Sequence, residues 1–163
     1  MTDHPARLYA LLAHGVQMYG NEPYRVHLDE VASIVEETGG TPDQITAAYL
    51  HDVLEDVPRI LRMDLEMEFS RDVANMVWAM SGEGTNRKTR VVSVYPKLLS
   101  CTSAIPVKMA DRLANWANAH KKGLPQEHMY RKEYAVFRDT LGEFGSPILC
   151  EQLDLLAMGS ASG

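Results

Sequence analysis

Apolar residues recur three and four apart along most of the chain, the spacing that gathers side chains on one face of a helix. Leu8, Leu11, Leu12 and Val16 form such a stripe over residues 5–19, and Gly20, Asn21 and Pro23 stop it with a loop. A second helix opens at His27 and carries Val31, Ile34 and Val35 until Gly39 and Gly40 end it. Thr41 is placed to cap a third, with Pro42 at its first position and Ile45, Ala48, Tyr49 and Val53 on its buried face. Beyond Pro58, Leu61, Leu65 and Phe69 share a side, and Ser70 caps a helix bearing Val73, Val77 and Met80. Ser81 to Asn86, with two glycines, reads as a loop.

Between Lys88 and Leu99 the signals conflict. Val91, Val92, Val94 and Tyr95 fit a strand, but an interrupted helix is the preferred reading. Thr102 to Ala119 is predicted helical, with Pro106 accommodated in the first turn. After a break at Gly123 and Pro125, Tyr130, Tyr134, Phe137 and Leu141 stripe a helix over 129–142, and Ile148, Leu149, Leu153 and Leu156 stripe another over 147–157. The small residues 159–163 are expected to form a flexible tail. With no repeat or linker, the pattern predicts one all-α domain over residues 5–158, a bundle of about eight helices.

Composition narrows the function more than the fold. The 163 residues are enough for a single core. The formal charge of −6, from 16 basic and 22 acidic side chains, argues against a broad nucleic-acid or membrane surface and leaves room for a small basic pocket. Residues 1–9 lack the apolar core of a signal peptide, and no apolar run is long enough for a membrane span, so the cytoplasm is the expected location. Cys101 and Cys150 are far apart and outside any CxxC context, which fits ordinary reduced thiols.

The residues that break the apolar pattern carry the chemistry. Thr46 to Asp56 sets adjacent His51 and Asp52 inside an apolar helical run and repeats acidity one turn later at Glu55 and Asp56. Imidazole and carboxylate suit zinc, manganese or iron, although a partly exposed helix end with acidic caps would look the same over this stretch alone. His27, at the opening of a core-seeking helix, and Asp111, interrupting another, are further candidate ligands. Lys108, Asp111, Asn115 and Asn118 recur along one face of that last helix, either a solvated stripe or a metal ligand flanked by donors for phosphate and sugar oxygens. Arg112 points about 100° round the helix from Asp111 and is expected to form a buried ion pair that fixes the ligand helix.

Together, Glu22-Pro-Tyr-Arg-Val-His-Leu28, Leu50-His-Asp-Val-Leu-Glu-Asp56 and Val107-Lys-Met-Ala-Asp-Arg-Leu113 followed by Asn115 resemble the HD phosphohydrolase superfamily. Within it they are most similar to the hydrolase domains of Rel/Spo guanosine-polyphosphate enzymes and their small stand-alone relatives. The resemblance runs over about residues 8–157 and implies a compact helical HD domain. It implies one divalent metal held by His27, His51, Asp52 and Asp111, with Glu55 and Asp56 orienting or activating the attacking water. Manganese is the implied metal; iron, zinc, cobalt and magnesium suit the same donors. The segment Gly82 to Arg90 looks like the middle loop of compact HD hydrolases. Its Arg87, Lys88 and Arg90, with Lys108 and Asn115, would bind a nucleotide substrate, and small HD proteins often self-associate.

The match departs from the Rel/Spo pattern in two places. Where those hydrolases usually carry an Arg-Lys pair shortly before the Pro-Tyr motif, this chain has Met18 and Tyr19; their usual His before the Asn of the Asp helix is Ala114. The implied reaction is removal of the 3′-pyrophosphate from guanosine 3′,5′-bis(diphosphate). Two rivals stand beside it: a 5′-nucleotidase or (deoxy)nucleoside triphosphate triphosphohydrolase with the same centre, and a catalytically weak nucleotide-binding or interaction protein.

Overall fold

The computed structural model describes residues 4–159; positions 160–163 of the expected tail lie outside them, and Gly159 caps the last helix. In chain order come α1 (Pro5–His14), β1 (Met18–Tyr19), β2 (Glu22–Pro23), α2 (Arg25–Glu37), α3 (Pro42–Leu50) and α4 (Val53–Asp56). Then follow α5 (Arg62–Glu68), α6 (Arg71–Met80), α7 (Arg87–Ser100), α8 (Ile105–Lys122), α9 (Gln126–Leu141) and α10 (Pro147–Met158). The all-α architecture is as expected, with one small addition: β1 and β2 pair antiparallel, Met18 opposite Pro23 and Tyr19 opposite Glu22.

Capping explains several boundaries. Thr41 accepts from the Gln44 N–H while the Gln44 side chain accepts from the Thr41 N–H, a reciprocal box that starts α3 with Pro42 in its first turn. Ser70 accepts from the Val73 N–H and starts α6. Asn86 caps α7, which settles the conflict over residues 88–99 in favour of a helix with Pro96 inside it.

One local expectation changes. The first helix stops at His14 rather than continuing to residue 19, because Gly15 takes a backbone φ of +57° that closes the turn and frees the next segment to pair as a ribbon. Its buried face is not the leucine stripe: Leu8, Leu12 and Val16 are exposed, and Ala6, Ala10, Ala13 and His14 face inward. Alanine adds little bulk, so α1 can lie close against α3, whose Ala47 and Ala48 are themselves buried.

The core is organised around α8. Ile105, Val107, Met109, Ala110, Ala114 and Trp116 on it are fully buried, and α2, α3, α9 and α10 all pack against it. Burying each large apolar side chain is worth about 1.5–3 kcal/mol, so α8 is the element whose position the core fixes most firmly. It carries Asp111, while α2 carries His27 and the α3–α4 junction carries His51 and Asp52. Both α2 and α3 pack on α8 and on each other, which converges these residues. Among the described residues no helix is long and apolar enough to cross a membrane.

Candidate metal centre and its basic cavity

His51 and Asp52 were expected inside one continuous helix. They occupy instead the two-residue break between α3 and α4, where Asp52 has φ −105° and ψ −3°. The chain nevertheless keeps a helical hand there, since the Asp56 N–H donates to the Asp52 carbonyl at 2.9 Å. His51 Nδ1 lies 2.7 Å from the Ala48 carbonyl, which can only accept. Nδ1 therefore carries a hydrogen, and Nε2 is the nitrogen that faces the centre.

Around that nitrogen the acids close in. Asp52 Oδ2 is 2.9 Å from His51 Nε2, Asp111 Oδ1 is 3.5 Å from it, and Asp111 Oδ1 is also 3.3 Å from His27 Nε2. His27, His51 and Asp111 are all buried, and one donor atom from each falls within 4.8 Å of the others. Two ligands about 2.1 Å from a common ion, at the angles of tetrahedral or octahedral coordination, lie about 3.0–3.4 Å apart. His51 Nε2 is buried and lies between the Asp52 and Asp111 carboxylates. Both observations fit a single divalent ion among these donors.

The charge balance agrees. Burial opposes ionisation of Asp111, but Lys108 and His51 hold its carboxyl well below the usual carboxylate range. Asp52 is likewise driven low, against burial, by His51. Burial pushes the His51 imidazolium toward neutrality, and the Asp52 and Asp111 carboxylates outweigh it and raise its proton affinity. Such a histidine, held between two carboxylates, is positioned to exchange its proton for a cation.

The family model described as an HD domain matches residues 6–139. The chain belongs to the HD-domain family.

Relatives of this HD domain bear out the expected likeness to the Rel/Spo group. It is 33% identical over 113 residues to a guanosine-3′,5′-bis(diphosphate) 3′-pyrophosphohydrolase of Aquifex aeolicus, 66% of this chain and 16% of that protein. It is 34% identical over 102 residues to the protein of the same description in Haemophilus influenzae, 58% of this chain and 15% of that one. The bifunctional (p)ppGpp synthase/hydrolase SpoT of Escherichia coli is 32% identical over 119 residues, 68% of this chain and 17% of its own length. The chain thus spans a small fraction of these relatives. A solved structure described as a metazoan ortholog of SpoT that hydrolyzes ppGpp superposes with a TM-score of 0.76 at 24% identity, covering 96% of this chain and 93% of the other.

Beside the centre of this HD domain lies a cavity of about 270 Å³, lined among others by Glu55, Arg87, Arg90, Lys108, Asp111 and Asn115. Of the three basic side chains expected from the middle segment, Arg87 and Arg90 reach it. Lys88 does not line it, because one residue along α7 is about 100° round the helix whereas three residues return to the same face. Lys108 Nζ donates to Asp111 Oδ2 at 3.0 Å, and burial of its ammonium is outweighed by Asp111, Asp52 and Glu55, so it stays charged. Arg112 forms the expected buried ion pair, Nη1 to Glu133 Oε2 at 2.8 Å, and Glu133 also receives a two-pronged pair from Arg87.

The two neighbouring acids diverge. Glu55 lines the cavity and its Oε1 accepts from the Gly82 N–H. That contact needs a glycine: a Cβ on Gly82 would stand 2.9 Å from the Arg90 Cβ and 3.1 Å from Glu55 Oε1. Asp56 does not line that cavity, and its Oδ2 accepts from Gln17 Nε2 at 2.7 Å.

Asn115 was expected to donate to substrate. Here both ends of its amide are engaged, Nδ2 on Asp111 Oδ1 at 2.6 Å and Oδ1 receiving the Tyr19 hydroxyl at 2.8 Å. Asn118, the last residue of the polar stripe, donates to the same phenol at 3.4 Å. Tyr19 stacks on the His27 ring, centroids 4.6 Å apart and planes 12° from parallel. Tyr24 donates its hydroxyl to Asp52 Oδ2, and burial together with the Asp52 charge pushes that phenol up, so it remains a donor. Sequence reasoning assigned no role to Gln17, Tyr24 or Gly82. Tyr24 stood in a recognisable motif, but nothing in its spacing shows that the chain returns it to Asp52.

Proposed function

We propose that this HD domain is a metal-dependent nucleotide phosphohydrolase that removes the 3′-pyrophosphate of guanosine 3′,5′-bis(diphosphate). The observation that carries the reading is the adjacency of a buried His27–His51–Asp111 cluster to a cavity lined by Glu55 and the cationic side chains of Arg87, Arg90, Lys108 and Arg112. The names of the relatives support the substrate, and manganese is the ion we assign by likeness to that group. With such a substrate, the cytoplasm is the compartment we assign.

His27, His51, Asp52 and Asp111 would hold the ion, which supplies Lewis acidity and makes a water acidic near neutral pH. Glu55, fixed through Oε1 by the Gly82 N–H, is the group we assign to take the proton of the attacking water, with Asp56 as its partner in orienting that water. Water oxygen bonds to the 3′-phosphorus, the bond from phosphorus to the 3′-oxygen breaks, and a proton reaches that oxygen, leaving a nucleoside 5′-diphosphate and pyrophosphate. Lys108, Arg87 and Arg90 offset the charge of the phosphoryl oxygens. Asn115 holds Asp111 in place rather than starting as a free donor.

One observation favours the rival substrates: the ribbon edge presents Met18 and a tied-down Tyr19 where the Rel/Spo pattern has an Arg-Lys pair. Assay of the manganese-loaded chain on a nucleotide panel separates the readings. Pyrophosphate release from guanosine 3′,5′-bis(diphosphate) is expected. Phosphate or tripolyphosphate from ordinary nucleotides, with the bis(diphosphate) untouched, would assign it to the nucleotidase or triphosphohydrolase class. Glu55→Ala should keep its metal and lose roughly 100-fold or more in kcat, whereas Asp52→Ala should lose metal and turnover together. Full turnover in either variant would count against an enzymatic role for that residue.

A further inference from the structure

Gln17 stands between the end of α1 and the start of β1, and its backbone is fixed on both sides. Its N–H donates to the His14 carbonyl at 3.1 Å and its carbonyl accepts from the Tyr24 N–H at 3.0 Å. Its side chain links two groups: Nε2 to Asp56 Oδ2 at 2.7 Å, and Oε1 to His14 Nδ1 at 2.9 Å. A carboxylate accepts and an amide oxygen accepts, so only one arrangement satisfies both contacts. The NH₂ faces Asp56, the oxygen faces His14, and His14 carries its ring hydrogen on Nδ1.

His14 is an unusual residue to bury at this place. It is 8% exposed, its Nε2 has no partner among the described residues, and its ring lies 4.7 Å from that of Tyr24. An apolar side chain would fill the space without stranding a nitrogen. What an apolar side chain cannot do is donate to Gln17. Asp56, by contrast, is exposed, and an unheld surface carboxylate samples several rotamers.

We propose that Gln17 is a positioning residue for hydrolysis: it holds the Asp56 carboxylate in one orientation, and His14 locks the amide that does so. The proposal rests on the reading of Glu55 and Asp56 as the water-handling pair. It assigns the segment between α1 and α2 a part in the site beyond the two tyrosines.

The test uses the manganese-loaded chain with guanosine 3′,5′-bis(diphosphate) as probe, in wild type, Gln17→Met, Asp56→Asn and the double variant. Gln17→Met is expected to lower kcat about tenfold, with KM and metal content within about twofold, and to cost nothing further in the Asp56→Asn background. A second readout needs no turnover: nitrogen NMR of the metal-free wild type should show His14 as the Nδ1–H tautomer, and Gln17→Met should abolish that preference. An Nε2–H tautomer in the wild type overturns the lock. If Asp56→Asn slows the reaction and Gln17→Met does not, positioning by Gln17 is wrong while the water-handling reading stands. If Asp56→Asn itself turns over normally, or the wild type leaves the probe intact, the underlying reading fails and the kinetic role of Gln17 falls with it. The tautomer then reports the contact alone.

Discussion

His51 shows how one side chain can be committed to a cation before any cation arrives. The Ala48 carbonyl fixes which nitrogen carries hydrogen, and the Asp52 and Asp111 carboxylates raise the proton affinity of the other above that of an ordinary imidazole. A folded-state affinity raised in this way stabilises the metal-free fold at low pH and loses that contribution as pH rises through the raised value. Metal competes with the same proton, so binding should release close to one proton per ion and weaken as pH falls. Calorimetric titration of the apo chain in buffers of different ionisation enthalpy measures the count. Release near zero at neutral pH would mean that His51 is already neutral and that its proton is not the competitor.

At the scale of elements, the site depends on how α8 is held. Arg112 leaves the face that carries Asp111 and ties α8 to α9 through Glu133, with its guanidinium also over the rings of Tyr130 and Phe137 at 5.0 and 4.9 Å. Burial opposes ionisation of Glu133, but its hydrogen bonds to Arg87 and Arg112 lower its affinity for a proton below the ordinary glutamate value of 4.5. The stability contributed by a depressed carboxyl is present above its unfolded value and is lost as pH falls through the folded one. Glu133→Gln should therefore lower stability at neutral pH by about 1.5 kcal/mol and flatten the loss of stability below pH 4.5, read by denaturant unfolding at several pH values. An unchanged acid slope would show that other carboxylates dominate it. Because Glu133 also engages Arg87, the same variant should release a cation at the cavity edge.

For the molecule as a whole, the candidate ligands come from α2, the α3–α4 junction and α8, so an ion would staple elements far apart in the chain. A ligand at about 100 times its dissociation constant adds about 2.7 kcal/mol, which for a domain of this size raises Tm by roughly 5–10 °C. Manganese added to the apo chain should give that shift, chelator should reverse it, and Asp111→Asn should remove most of it. The helical circular dichroism of the apo chain should persist throughout, because burial of apolar side chains such as Trp116, Leu28 and Leu50 supplies the core's stability. Loss of helix on chelation would mean that the metal is part of the fold rather than an addition to it.

The sequence by itself determined the helical class, the caps at Thr41 and Ser70, and the residues able to bind metal, because periodicity, capping and donor chemistry are local properties. It left the inward face of α1 open, since leucines outrank alanines in hydrophobicity but not in how closely two helices can approach. Only the tertiary structure decided which polar groups hold which residue of the site. Tyr19 lies 96 residues from Asn115, Tyr24 lies 28 from Asp52, and Gln17 lies 39 from Asp56. Contacts at such separations follow from the packing of α2, α3 and α8 and leave no periodic trace in the chain. Ligand identity is written in residue type; ligand orientation is written in the neighbours that packing supplies.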